Sequence, residues 1–526
     1  MPQDFPYSRA AVAAPHTLAA EAGRDIVLQG GDAIEAMIAM AAAIAVVYPH
    51  MNSIGGDGFW LIRDARGKAR AIEACGTAGE RATAESYRKL GGIPSRGPKA
   101  ALTAPGTVGG WMLALELSKA LGGRLPLKDL LGRAESLARI GVAVSPSEAR
   151  FDPLKHPDLV AAPGFAKTFF LEGKPAPAGA TRKLPRLADT LDRLGHAGLD
   201  DFYRGDIARE IAGELEEIGS PVTRADLRAT AANWRAPLSM RVKNATLFNT
   251  PAPTQGLASL MLLGLYERLA PRNVEEFAHA HALVEGFKRA AKWRDEACVD
   301  FAHATADFDK MLSPAFLEAE CEKIDKQRAA PWPLKADAGD TVWMGAVDSN
   351  GVSVSFIQSV YWEYGSGCVL ERTGITMPNR GLAFSLEPGV PNALKPGRRP
   401  FHTLNPALAV FNDGRVMPYG AMGGDGQPQF QGQVFTRINA GASLEDSVAA
   451  PRHLFGRAWG DTSTTLKLEE AYDDSTASAL VRAGHEIEWR AGNRDLFGHA
   501  GALVRTPDGR IAAAHDPRSD GAAMGF

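Results

Sequence analysis

Alternation of apolar and polar positions is clearest in the second half of the chain. Between Gly339 and Gly367, Val352, Val354 and Phe356 alternate with Ser353 and Ser355, the period of a half-buried strand. The apolar run Val342 to Val347 precedes it, and Asp348-Ser349-Asn350-Gly351 supplies the turn of a hairpin. Further strand patterns fall at Gly374 to Met377, Ala407 to Phe411 and Val416 to Tyr419. Two more, Ala502 to Arg505 and Ile511 to His515, pair across Pro507-Asp508-Gly509, and helical periods mark Gln431 to Asn439 and Asp474 to Ala483. Toward the N-terminus, Pro15 to Leu28 reads as a helix, and Asp32 fits the N-cap of an apolar helix over Ala36 to Tyr48. A glycine-rich loop, Asn52 to Gly58, then feeds strands at Phe59 to Arg63 and Ala69 to Glu73. Residues 108 to 240 are mostly helical, with periodic stretches at Leu113 to Leu121, Leu127 to Ile140 and Pro185 to Leu194 and a capped start at Asp200 to Asp206. Thr246 to Thr250 is a strand, and Leu257 to Arg294 a long helical zone. Strands at both ends with helices between predict one layered α+β unit rather than detachable domains.

Charge and composition narrow the function classes. A chain of 526 residues can bury a large core, and its net charge of −3 comes without basic runs or an acidic tail. Dedicated nucleic-acid binding and polybasic membrane binding are therefore not expected. The apolar segment Ala36 to Tyr48 is 13 residues long, short of the roughly 20 a bilayer span needs. The start, MPQDFPYSRA, lacks a secretory pattern, so a cytoplasmic protein is expected. Four widely spaced cysteines, Cys75, Cys298, Cys321 and Cys368, form no metal-ligand motif and read as buried thiols. The Asn52 to Gly58 loop precedes a strand, whereas a nucleotide loop opens a helix.

The entry to the hairpin carries candidate chemistry. Ala329 to Ala338 is loop-like, and Gly339-Asp340 then delivers the chain into a strand that begins on Thr341. Thr341 is either a β-branched residue that suits a strand, or a residue whose preceding peptide bond is cut. A freed Thr341 would carry a hydroxyl nucleophile and an α-amine of pKa about 8 able to take its proton. Downstream, Gly420-Ala421-Met422-Gly423-Gly424-Asp425 follows a strand and could turn backbone N–H groups toward an oxyanion.

In order and spacing these segments resemble the γ-glutamyltranspeptidase family of N-terminal-nucleophile hydrolases, nearly end to end. The matching stretches are NSIGGDGFWLI, TAPGTVGGW, FYRGDIA and NTPAPTQGL, then GSG, NRGLAFS, PGVPN, RRPFHTLNPALAV, GAMGG, APRH and HDPRSDG. The resemblance implies a four-layer αββα sandwich and a precursor that cleaves itself between Asp340 and Thr341. Residues 1–340 would become a large fragment and 341–526 a small one, held together in one unit, with a dimer of such units left open. Thr341 would be nucleophile and base, Ser359 would stand for a threonine that supports it, and Gly423 and Gly424 would form the oxyanion hole. No metal or organic cofactor is implied.

Several positions that hold a glutamyl group in this family are changed. Cys75 stands in place of a carboxylate-binding arginine, which Arg81 could replace only by a changed loop path. Ala383 replaces the aspartate that takes an α-ammonium, His402-Thr403 a serine pair, and Tyr361 an asparagine. A site without the ammonium clamp should lose glutamyl compounds. With Arg380, His402, Thr403 and Tyr361 it suits a small anionic amide, Arg380 offering bidentate geometry to a carboxylate. Within the family the sequence looks most like the branch acting on oxamate in purine-nitrogen breakdown. Other readings are a γ-glutamyl hydrolase or transferase acting on glutathione, an acylase for a larger amide, and an uncut scaffold that only binds.

Overall fold

A computed structural model describes residues 4–331, 340–456, 463–491 and 495–526; of Asp340 only the backbone is described. Two stacked sheets form its centre. The first has seven strands: β1 (Ala10–Ala14), β2 (Asp57–Arg63), β3 (Ala69–Ala74), β4 (Asn233–Arg235), β7 (Asp340–Asp348), β8 (Ser353–Tyr361) and β13 (Ala522–Gly525), in the order β13-β1-β7-β8-β2-β3-β4. The second comprises β5 (Leu238–Arg241), β6 (Ala245–Asn249), β9 (Ala407–Phe411), β10 (Val416–Ala421), β11 (Ala500–Arg505) and β12 (Ile511–His515), in the order β12-β11-β10-β9-β6-β5. Helices α1 (Thr17–Leu28), α2 (Ala33–Val47) and α3 (Thr107–Leu121) cover the first sheet, with α4 (Leu127–Ile140) behind α2. Helices α5 (Gly256–Leu269), α6 (Phe277–Ala297) and α7 (Gln427–Asn439) form the layer on the second. The result is an αββα sandwich, as expected.

The pleat sorts the apolar residues into these layers. Along β7, Val342, Met344 and Ala346 join the core under α1 and α2, while Trp343 and Val347 point between the sheets. Apolar groups on both faces leave no polar side, which is the pattern of a strand buried twice. The half-buried reading of β8 is thereby corrected. Ser353 and Ser355 are fully buried, and Ser355 Oγ accepts from Trp343 Nε1 (2.9 Å) and donates to the Tyr419 carbonyl (3.1 Å). The Trp343 indole lies against Gly420, where an added Cβ would come within 2.2 Å of the ring. That close approach brings the end of β10, and the glycine turn after it, alongside β7.

Helix α2 is buried all round and starts at Ala33, directly after Asp32, the N-cap expected from the sequence. The Asp32 carboxylate accepts from the N–H groups of Ile34 and Glu35, and Glu35 reaches back to the Asp32 N–H, a capping box that opens the helix. The zone 257–294 is two helices, α5 and α6, rather than one. Gly374 to Met377 forms no strand; the backbone there makes only an isolated bridge between Val369 and Thr376. The loop expected over 329–338 lies outside the described residues from 332 onward. Segments on either side of the Asp340–Thr341 bond interleave: β7 lies between β1 and β8, and β8 pairs with β2.

Candidate active site

Thr341 is the second residue of β7 and is 1% exposed. Asp340 pairs with Tyr361 and Val342 with Gln358, so Thr341 alone opposes Ser359 and Val360 in a β-bulge. Bulges of this kind re-aim a side chain and recur beside active sites. Thr341 Oγ1 has no hydrogen-bond partner among the described residues. Opposite it, Ser359 pairs with Asp57 and its Oγ accepts from the Tyr361 N–H at 2.8 Å. Tyr361 itself has φ +87°, a backbone conformation held only where surroundings impose it.

Arg380 lies in the short 3₁₀ turn Arg380–Ala383 and is 1% exposed. Its guanidinium stacks 3.9 Å over the Tyr361 ring, and both terminal nitrogens lack a hydrogen-bond partner among the described residues. Because Tyr361 is register-paired with Asp340, this cation sits over the residue that faces the start of β7. Burial lowers the Arg380 pKa, opposed by the nearby Tyr361 and Asp57.

His402 is fully buried with both ring nitrogens occupied, Nδ1 by the Pro400 carbonyl (2.9 Å) and Nε2 by Asp57 Oδ2 (3.1 Å). Burial and the neighbouring Arg380 lower its pKa, while Asp57 raises it. Asp57 in turn accepts from the Gly76 N–H. The imidazole therefore ties β2 to the 400–403 segment and has no nitrogen left for a ligand. Thr403 Oγ1, by contrast, is buried with no hydrogen-bond partner among the described residues.

Gly423 and Gly424 both take positive φ, +123° and +53°. Among the described residues, neither amide N–H forms a hydrogen bond. The Gly424 carbonyl accepts from Gln255 Nε2 (2.8 Å), which also donates to the Thr403 carbonyl (2.7 Å). Gln255 Oε1 accepts from Arg294 Nη1 (3.2 Å), and Arg294 also pairs with Asp425 (3.1 Å). Burial works against the Arg294 charge, yet Asp425 and Asp295 hold its pKa up. Beside this turn, a cavity of about 200 Å³ is lined by Tyr361, Ala383, Asn392, Phe401, Arg294 and Asp425 among others.

Cys75, at the place of the family's arginine, and Arg81, its possible substitute, both have clear structural settings. Cys75 is buried just after β3, and its carbonyl accepts from Arg399 Nε at 3.2 Å. Arg81 is exposed and faces Glu216, so it does not reach the site. Gln255, Arg294, Asp425 and Asp57 were not singled out by sequence. Gln255 lies in NTPAPTQGL, Asp425 follows the glycine pair and Asp57 sits in the glycine loop; Arg294, inside a long helix, gave no signal. One other buried group, His281, Glu285 and His485, has ligand atoms within 4.8 Å of one another. Lys288 Nζ lies 2.7 Å from Glu285, the Asp325 carbonyl takes His281 Nε2, and His281 Nδ1 meets His485 Nε2 at 2.9 Å, so these groups are largely engaged with one another and their neighbours.

Residues 19–526 match the family model for gamma-glutamyltranspeptidase. The chain belongs to the gamma-glutamyltranspeptidase family. It is 48% identical over 515 residues to the oxamate amidohydrolase proenzyme of Klebsiella pneumoniae, covering 98% of each chain. A glutathione hydrolase-like proenzyme of Bacillus subtilis is 34% identical over 519 residues, again 98% of each. The solved cephalosporin acylase from Bacillus halodurans superposes with a TM-score of 0.90 at 30% identity, covering 100% of this chain and 99% of that one. Membership of the gamma-glutamyltranspeptidase family makes the chain a hydrolase with an N-terminal-nucleophile fold. Among the described residues no helix is long and apolar enough to cross a membrane.

Proposed function

We propose that the chain is a self-processing amidohydrolase that cleaves its own Asp340–Thr341 bond and then hydrolyses a small anionic amide, oxamate being the substrate the pocket fits best. In processing, Thr341 Oγ attacks the Asp340 carbonyl carbon, the C–N bond breaks to leave an ester and a free threonine amine, and water hydrolyses the ester to release the Asp340 carboxylate and the Thr341 hydroxyl. Fragments 1–340 and 341–526 stay interleaved in one sandwich. In turnover, Thr341 Oγ attacks the amide carbon while its amine takes the hydroxyl proton and passes it to departing ammonia. The Gly423 and Gly424 N–H groups receive the oxyanion, and Ser359 supports the nucleophile. Water then hydrolyses the oxalyl ester, so oxamate and water become oxalate and ammonium.

The observation that carries the substrate reading is Arg380. A buried guanidinium whose terminal nitrogens have no partner among the described residues is costly unless an anion completes it. It stands at the residue opposite the cleavage position, where a carboxylate next to the scissile amide would lie, with Thr403 Oγ1 as a further donor. Ala383, in place of an acid, supplies nothing to hold an ammonium. The 48% identical relative named for oxamate supports the same reading.

The test is direct. Thr341→Ala should run as one full-length band on a denaturing gel and release no ammonia from oxamate, whereas the wild type gives two bands. An active or cleaved Thr341→Ala protein rules the mechanism out. Faster release of glutamate from glutathione than of ammonia from oxamate would replace the substrate.

A further inference from the structure

A glycine pair is a poor device for aiming two amides by itself. Gly423 and Gly424 lie at φ values that glycine enters and leaves easily, so the turn needs a restraint from outside its own backbone. The structure contains one. Gln255 is fully buried, and its side-chain amide uses both N–H groups, donated to the carbonyls of Gly424 and Thr403, while its oxygen accepts from Arg294. Its backbone N–H donates to the His402 carbonyl at 3.1 Å, and the His402 N–H donates to the Pro253 carbonyl at 2.9 Å. Three segments distant in sequence, 253–255, 402–403 and 424–425, therefore meet on one side chain. Arg294 fixes that side chain's orientation. Its cation engages the Gln255 oxygen, which forces the NH₂ end toward the two carbonyls, and it anchors the same turn again through Asp425.

We infer that Gln255, oriented by Arg294, is the positioning residue of the oxyanion turn: by holding the Gly424 carbonyl it fixes the direction of the Gly423 and Gly424 amides toward the oxygen that gains charge when Thr341 attacks. The inference rests on the proposed role of those two amides. It assigns Gln255 no contact with substrate. Since the same turn would stabilise the oxyanion of the Asp340 carbonyl, self-cleavage and turnover depend on it together. The other hydrogen of Gln255 goes to the Thr403 carbonyl, but the 402–403 segment is also fixed by the backbone bonds between His402 and residues 253 and 255, so the anion pocket should keep its shape without the side chain.

The experiment uses the full chain with Gln255→Met, which keeps length and removes all three side-chain hydrogen bonds, and Arg294→Lys, which keeps the charge but lacks the planar guanidinium that holds Asp295 through Nε and Nη2 while Nη1 reaches the Gln255 oxygen and Asp425. Self-cleavage is followed by denaturing gel, and kcat and KM are measured for oxamate on matured protein. Gln255→Met should slow self-cleavage and lower kcat about 100-fold, in the range of a lost oxyanion donor, with KM within about threefold. Arg294→Lys should fall between it and the wild type, at about a 10-fold loss. A purely structural role would shift the thermal midpoint without this split between kcat and KM. Wild-type self-cleavage and kcat in a folded Gln255→Met protein overturn the inference. If Gln255→Met does not fold, an Arg294→Lys protein with undiminished kcat overturns it instead. Cleavage or turnover by Thr341→Ala would defeat the underlying mechanism; an inert Thr341→Ala beside a fully active Gln255→Met would defeat only the brace.

Discussion

Arg452 and Arg380 are buried equally, at 0% and 1% exposure, yet their surroundings differ completely. Arg452 donates through Nη1 to the carbonyls of Phe497 (2.8 Å) and Gly498 (2.9 Å), and through Nη2 to Val448 and to Asp516, which Arg518 also engages. Burial lowers its pKa to about 10, with Asp516 pulling the other way. Arg380 has a ring beneath it and no acceptor for either terminal nitrogen among the described residues. A buried cation whose terminal nitrogens are both taken up holds a fold together. One whose donors are left over in a finished fold is prepared for something that arrives later.

Substitution should separate the two corners. The largest effect expected is from Arg452→Met, which removes four hydrogen bonds and leaves Asp516 short of a buried counter-charge, and should lower stability by about 3 kcal/mol in urea titrations, with KM of the surviving enzyme unchanged. Next is Arg380→Met. It should raise KM for oxamate about 100-fold, about 2.7 kcal/mol, and leave the urea midpoint unchanged or higher, because an unpaired buried charge is gone. A stability loss without a KM change in Arg380→Met would erase the contrast. The smallest effect should appear only on acidification. Burial raises the Asp516 pKa, but Arg452 and Arg518 outweigh it and hold the carboxyl below its usual range. A carboxylate with a folded value below its unfolded value of about 3.9 contributes stability that is complete above that pH and lost as pH falls through the folded value. Urea midpoints measured from pH 5 downward should therefore drop less steeply in Asp516→Asn than in wild type, and Arg380→Met should keep the wild-type slope.

Legibility in the sequence followed how local each cause was. Leu127–Ile140 and Ile511–His515 were read to the residue, because a stripe of apolar positions and flanking turns define them. Ala10–Ala14 was missed: five small buried residues carry no period, and their pairing partners lie at the far end of the chain and in β7. Serines 353 and 355 misled, since a serine that faces a second sheet and one that faces water look alike in sequence. At the site, Thr341, Ser359 and the glycine pair come from ordered motifs, and the altered pocket from their departures. The occupation of both His402 nitrogens, the left-handed Tyr361 and the convergence on Gln255 arise only from segments brought together by the fold.

The backbone near the two ends of the chain has a practical consequence. Arg9 and Ala10 exchange hydrogen bonds with Phe526, so these stretches run side by side. A circular permutant joining them with a short linker and opening at position 341 would be born with threonine at its front, once the initiator methionine is trimmed. Under the proposed mechanism such a molecule would bypass self-cleavage, and residues needed to make the nucleophile could be told apart from those needed to use it.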